Sequence, residues 1–530
     1  MLKKILALVL SGIFFITTHA QLNPALDVQH YSLAIELNDS NNIIKAEATI
    51  TIKFTQNVNE VKLDLVKKRK DGKGMIVTQI TKNKMLIDFS QDDEHLTIND
   101  AAKQDVENIY TINYQGEPAD GLIISKNKFG HRTFFGDNWP NRAHNWFPCN
   151  DHVSDKASVE FIITAPEHYQ VVANGIPTEE TNLPNHLKLT HWKEDVPLPP
   201  KIMVIGVADF AVNYVGNVDC IPVYSWLYPE DKDSGFVHYA IAKTILAWFI
   251  QHVGPYAYEK LANVQSKTIF GGMENAGAIF YFEQSANYDA IEELMAHEIA
   301  HQWFGDAASE SDWPHVWLSE GFATYMAHLY HETKYGVTSF NNDMGTDRDS
   351  VISFSKRTAK PVVDTTESNN LLALLNTNSY QKGGWVLHML RRKLGDSLFW
   401  KGIQTYYATY NGGNASTSDL QKIFEDVSHL NLQTFFTQWL YTPGQPKLNI
   451  QWKYNAAKKS VTITVEQVQQ HLFEFPLQIT VVDGDSSNLI TINIKDKVTT
   501  KEVSVKDKPE KIIADPNVNL LFEGIVNEVD

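Results

Sequence analysis

The chain reads as an α+β multidomain protein: an all-β N-terminal part, a mixed α/β middle part and a small C-terminal β-sandwich. The period of its apolar residues changes twice, from two near the start to three-and-four through the middle, then back to two. A Pro/Gly break, Thr442-Pro443-Gly444-Gln445-Pro446, marks the second change. At 530 residues the chain also exceeds what one hydrophobic core ordinarily organises.

The first part runs over 21–221. Tyr31, Leu33, Ile35 and Leu37 fall on one face with Ser32, Ala34 and Glu36 on the other, and Ala46, Ala48, Ile50, Ile52 and Phe54 alternate with polar residues. Such alternation predicts half-buried antiparallel strands, and turns such as Lys70-Asp71-Gly72 separate further ones. The second part, 222–441, turns helical from Val237 onward, with Ile241, Ile245, Phe249 and Ile250 at helical spacing. The third part, 442–530, alternates again through Leu448, Ile450, Trp452 and Tyr454, then Val461, Ile463 and Val465. Leu477, Ile479 and Val481 follow, then Ile490, Ile492 and Ile494. Asp483-Gly484 is placed to turn a hairpin between the last two runs.

Composition narrows the function. Hydrophobic residues make up 43% and charged residues 21%, the balance of a folded protein. The net charge is −17 and no basic run occurs, which argues against nucleic acid or an anionic membrane as partner. Residues 1–20 have the form of a cleaved secretory signal: Lys3 and Lys4, an apolar stretch from Ile5 to Ile16, then Thr18-His19-Ala20 before Gln21. Export to a periplasmic or extracellular compartment follows, with no membrane span after cleavage. The two cysteines, Cys149 and Cys220, are read as buried free thiols, although spacing does not decide whether they pair.

The chemistry concentrates in His297-Glu298-Ile299-Ala300-His301. Residues four apart on a helix stack one turn above each other, so two imidazoles can close on one tetrahedral ion. Met295, Ile299 and Trp303 give the helix a face to bury, and Gly305 is placed to end it. With eighteen residues between it and His301, Glu320 sits in a second helical pattern, Trp317 to Tyr325, and can supply a third ligand. Two histidines and one glutamate leave a position open, the mark of a catalytic zinc site with one ion per chain. Glu298, beside the pair and not needed as a ligand, is placed to move a proton between water and a leaving amine. His315, His328, His331 and His388 lack a partner at useful spacing and are taken as ordinary residues.

Gly271-Gly272-Met273-Glu274-Asn275, the H-E-x-x-H pair of histidines and Glu320 together resemble the gluzincin aminopeptidases typified by aminopeptidase N. That likeness implies an N-terminal β-saddle, a thermolysin-like catalytic domain and a C-terminal β-sandwich. It implies hydrolysis of the first peptide bond of peptides with a free N-terminus. Glu274 would bind the substrate ammonium, and the flanking Gly271, Gly272, Met273 and Asn275 would pair with the peptide. The family's second residue is usually Ala where this chain has Gly272. Tyr380-Gln381-Lys382-Gly383 is similar to the family's Y-x-K-G element and makes Tyr380 an oxyanion donor. Counted back without gaps from Pro148-Cys149, the family's amine-pocket Gln, and the Gln or Glu two residues later, fall on Asp137, a second anionic contact, and Trp139, an aromatic wall. Members usually continue into a large helical domain after the sandwich, where this chain ends.

Three other readings compete. A related epoxide hydrolase shares the zinc site but resembles the chain no better. A thermolysin-like endopeptidase is disfavoured by the Glu274 segment. A non-catalytic binding scaffold would have lost ligands or base, whereas His297, Glu298, His301, Glu320, Glu274 and Tyr380 are all present.

Overall fold

The computed structural model describes residues 22–529, apart from 368–369 and 484–485. The signal-like segment 1–20 lies outside the described residues.

Alternation at period two builds the first sheet. Leu26–Glu36 pairs antiparallel with Ile44–Phe54 and parallel with Ala157–Pro166. The register sets Tyr31 opposite Ile50 and Val159, and Leu33 opposite Ala48 and Phe161, so every apolar face falls on one side. A one-residue slip would send that whole face to water. Among the described residues this sheet has eight strands, and a four-stranded sheet carries Arg132–Gly136, Gln170–Ala173 and Ile205–Ala208.

The next sheet positions the site. It runs in the order Ala211–Val218, Ile221–Leu227, Leu261–Gln265, Ala278–Tyr281 and Gly272–Met273. The three middle strands are parallel, and two helices, Lys232–Tyr239 and Ala242–His252, cross between the first pair of them. Strands 211–218 and 221–227 therefore belong to the site-bearing sheet, which starts before the change of period expected near 222. Their alternation looks the same in sequence whichever sheet they join. Gly272–Met273 is the sheet's edge, paired on one side only.

Helices follow. Ile291–His301 and Trp317–Tyr335 pack side by side, and Val337–Ser355 and Gly383–Leu394 pack on the second of them. Beyond the Pro/Gly break, a sheet containing Lys447–Asn455 and Ser460–Gln467 faces one containing Phe475–Asp483 and Ser486–Ile494. Ile450, Ile463, Leu477, Ile479 and Ile494 lie fully buried between them. The hairpin expected at Asp483 forms, with Asp483 opposite Ser486.

The cysteines correct one expectation. Both are free and Cys149 is buried, but Cys220 is exposed, at the tight turn between two strands of a sheet edge.

Lys382 joins the helical part to the sandwich. It is buried, and its Nζ donates to the Gly444 carbonyl at 2.7 Å. Burial alone depresses its pKa from 10.5 to about 7. Between those values the unfolded chain binds the extra proton, so stability rises with pH from about 7 to 10.5, by at most about 1.4 kcal/mol per pH unit. Lys382→Met removes this rise. Denaturant midpoints from pH 7 to 10 check it: the gap between the parent and the variant should change steadily, and a constant gap contradicts it.

Candidate active site

Three donor atoms converge between the two packed helices. His297 Nε2 lies 3.1 Å from His301 Nε2, and Glu320 Oε2 lies 3.3 and 3.2 Å from them. Zinc bonds of about 2.0–2.1 Å in tetrahedral geometry set donors about 3.3–3.4 Å apart, so this triangle fits the ion. His301 Nδ1 faces the Phe304 carbonyl at 3.1 Å and Ser319 Oγ at 3.0 Å. A carbonyl only accepts, so Nδ1 carries the proton and Nε2 presents its lone pair inward. Burial opposes charge on His301, yet the Glu320 and Glu274 carboxylates outweigh it and push its pKa up to about 10. Glu320 is buried too, but the two imidazoles hold its carboxyl well below the usual range.

Glu298 is buried beside the triangle. Burial, with the nearby Glu274 and Glu320 carboxylates, pushes its pKa well up despite the opposing pull of His301, which strengthens it as a proton acceptor. Its carboxylate rests on the edge strand: a Cβ added at Gly272 would lie 2.2 Å from Glu298 Oε1. Glycine here lets the carboxylate lie flat on the backbone, while alanine would require it to swing aside.

Glu274 is 5% exposed, and its Oε1 has no hydrogen-bond partner. Ligand atoms of Glu274, Glu298 and His301 lie within 4.8 Å of one another. A buried carboxylate oxygen without a partner is costly and calls for a cation. Met273 and Asn275 are buried, and Gly271 and Gly272 line the cavity at the open edge of the sheet.

Tyr380 reaches the site through a close helix contact. A Cβ on Gly321 would lie 2.8 Å from Gly383 Cα, so only glycines let the 378–382 π-helical turn dock against the Glu320 helix. The Tyr380 ring stacks parallel to His297 at 5.9 Å. Burial and the Glu320, Glu274 and Glu298 carboxylates keep its phenol protonated, hence a donor.

The two outlying residues separate. Trp139 lines the cavity and packs edge-on to Phe270 and Trp313. Asp137 does not line it, a correction to the sequence reading. Its Oδ1 pairs with Arg142 at 2.7 Å, and its Oδ2 accepts from Ile269 N and Thr268 Oγ1 at 2.9 and 3.2 Å. Its charge is consumed in bracing the loop at one end of the cavity.

Two residues went unread in the sequence. Gln302 is fully buried with four partners: it donates to the Glu274 carbonyl at 2.7 Å and to Asp306 at 2.9 Å, and accepts from Tyr256 and Gly277. It ties the metal helix to the Glu274 segment. The available signal was an amide sitting on the apolar stripe, between Ile299 and Trp303. His328, set aside above, lines the cavity. Its signal was the spacing of two turns from Glu320 on the same helix face.

The metal triangle, Glu274, Glu298, Tyr380, Trp139 and His328 line a cavity of about 850 Å³, within the range for ligand sites. Residues 238–439 match the peptidase family M1 domain and residues 27–200 the peptidase M1 N-terminal domain. The chain belongs to the peptidase M1 family. Zinc is the metal of its aminopeptidases, and the donor triangle accommodates it. Relatives include a probable aminopeptidase 2 of Sulfurisphaera tokodaii, 26% identical over 79% of this chain and 54% of its own. Human glutamyl aminopeptidase is 28% identical over 61% of this chain and 35% of its own. Leucyl aminopeptidase of Saccharolobus solfataricus is 21% identical over 87% and 61%. The chain thus spans less than two thirds of the length of these curated relatives.

Gln302→Ala strands several buried polar groups, each at about 1–3 kcal/mol. The expected result is a lower denaturation midpoint and a raised KM for free-amine peptides, with zinc content retained. Unchanged KM would remove Gln302 from the positioning of Glu274.

Proposed function

We propose that the chain is a zinc metallo-aminopeptidase, hydrolysing the N-terminal bond of peptides with a free amine. The observation that carries this is the unpartnered, buried Glu274 oxygen beside the donor triangle. An ammonium placed there gains a charge-assisted contact. A chain continuing past it would leave Glu274 desolvated and unpaired, at about 3–5 kcal/mol. That difference selects the end of a chain over its middle. No observation favours the epoxide-hydrolase or scaffold alternatives.

The roles follow from placement. His297, His301 and Glu320 would hold zinc, which when bound supplies Lewis acidity at the scissile carbonyl. Glu298 takes a proton from the attacking water and returns it to the leaving amine. The Tyr380 phenol donates to the oxyanion as the carbonyl becomes tetrahedral. Glu274 fixes the amine, and the Gly272–Met273 edge offers unpaired backbone groups to the extended peptide. Trp139 walls the space for the first side chain.

Export completes the reading. Lys3, Lys4, the apolar run and the small residue Ala20 support cleavage before Gln21, with the mature enzyme periplasmic in a two-membrane bacterium and extracellular otherwise. Among the described residues no helix is long and apolar enough to cross a membrane.

Aminoacyl chromogenic substrates, each free and N-acetylated, test the activity. Only the free amines should be cleaved, with loss on chelation and recovery with zinc; equal turnover of acetylated substrates would end the exopeptidase reading. Glu298→Gln should keep the metal and lose nearly all kcat, whereas His301→Ala should lose the metal.

A further inference from the structure

We propose that the cavity extends past the metal triangle into a second pocket, formed by Glu293, His328 and Asp347, that favours peptides whose second residue is lysine or arginine. This rests on the aminopeptidase reading, which sets the direction of the bound chain.

Direction comes first. Glu274 clusters with Glu298 and His301, toward the C-terminal end of the Ile291–His301 helix. Glu293 stands one turn before His297, at the other end of the same face, and also lines the cavity. A peptide held by its amine at Glu274, with its first carbonyl at the triangle, therefore continues toward Glu293. Four helical residues advance about 6 Å, and one extended residue about 3.4 Å. The second side chain then falls within reach of Glu293. From the neighbouring helix, Glu320, Thr324 and His328 succeed one another at one-turn spacing, and all three line the cavity.

Charge sets the ligand. The cavity is lined by the carboxylates of Glu274, Glu293, Glu298, Glu320 and Asp347, with no lysine or arginine among its lining residues. Glu274, Glu298 and Glu320 have roles in the reaction, which leaves Glu293 and Asp347. Between them His328 is 5% exposed, with Nε2 at 2.9 Å from Asp347 Oδ2 and Nδ1 without a partner. His328 thus donates Nε2–H to Asp347, and against the effect of burial the Asp347, Asp343 and Glu293 carboxylates raise its pKa. Two carboxylates against one imidazole leave the pocket acidic, with no lysine or arginine among the lining residues to pair Glu293. A lysine ammonium or arginine guanidinium supplies donors and charge together. A leucine would leave the carboxylates without a counter-charge, and a glutamate would meet like charge.

The test compares Ala-Lys, Ala-Leu and Ala-Glu dipeptide amides with alanine 4-nitroanilide, which has no second side chain. The expected kcat/KM for Ala-Lys exceeds that for Ala-Leu about tenfold, the effect of one charge-assisted contact, with Ala-Glu lowest. Asp347→Asn should bring the Lys/Leu ratio near one. Glu293→Gln, on an exposed position of the helix, should lower it several-fold and serves if Asp347→Asn fails to fold. Equal cleavage of Ala-Lys and Ala-Leu, a preference for Ala-Glu, or a ratio untouched in both variants overturns the proposal. No cleavage of the anilide would instead overturn the aminopeptidase reading itself.

Discussion

Two imidazole nitrogens and a carboxylate oxygen, each bearing a lone pair, lie within 3.1–3.3 Å of one another where little water reaches. Such proximity is unfavourable without positive charge between them, whether protons or a metal ion. Everything nearby enforces it. The His301 ring is pinned from behind by Phe304 and Ser319, and the Glu320 helix packs along the His297 helix. The same crowding explains the opposed shifts at the site, His301 upward and Glu320 downward. The geometry concentrates negative potential at one point, which answers to a divalent ion and to the ammonium of the proposed substrate.

Glu274 extends that field along the sheet edge. Its carbonyl is held by Gln302, the cap of the metal helix, so the proposed amine anchor and the metal site share one rigid connection. A helix element and an edge strand thereby keep a fixed offset, as the proposed removal of one residue from a chain end requires.

The sequence made the periodic elements legible because their burial is one-sided. Tyr31, Leu33 and Ile35 are buried as alternation demands, and His297 and His301 meet because four residues make a turn. What sequence could not show was which partner a polar group meets. Asp137 was counted as an anion of the pocket, but Arg142 and the 268–269 backbone, brought in by tertiary packing, consume its charge. His328 shows no partner at useful spacing in the sequence, because its partner Asp347 comes from another helix. Strands 211–227 alternate like those before them, and only pairing with Leu261–Gln265 assigns them to the site-bearing sheet. Local pattern reports the face of an element; it does not report the neighbour across that face.

The N-terminal sheets are joined to the site by polar contacts inside the core. Lys201 forms a fully buried ion pair with Glu310 at 2.8 Å, and Lys156 Nζ caps the carbonyls of Asp306 and Ala307, just past the metal helix. Asn174 donates to the Ala276 carbonyl beside the Glu274 segment, and Lys260 returns from the catalytic sheet to the Ala173 carbonyl. Buried pairs of this kind add little net stability over an apolar core, because desolvation offsets the attraction. They do fix register, since a shifted contact would strand a charge. A charged hydrogen bond adds a directional constraint that apolar contacts lack. The N-terminal β part is therefore a structural component of the catalytic site, holding from behind the two segments that bear Glu274 and the metal ligands.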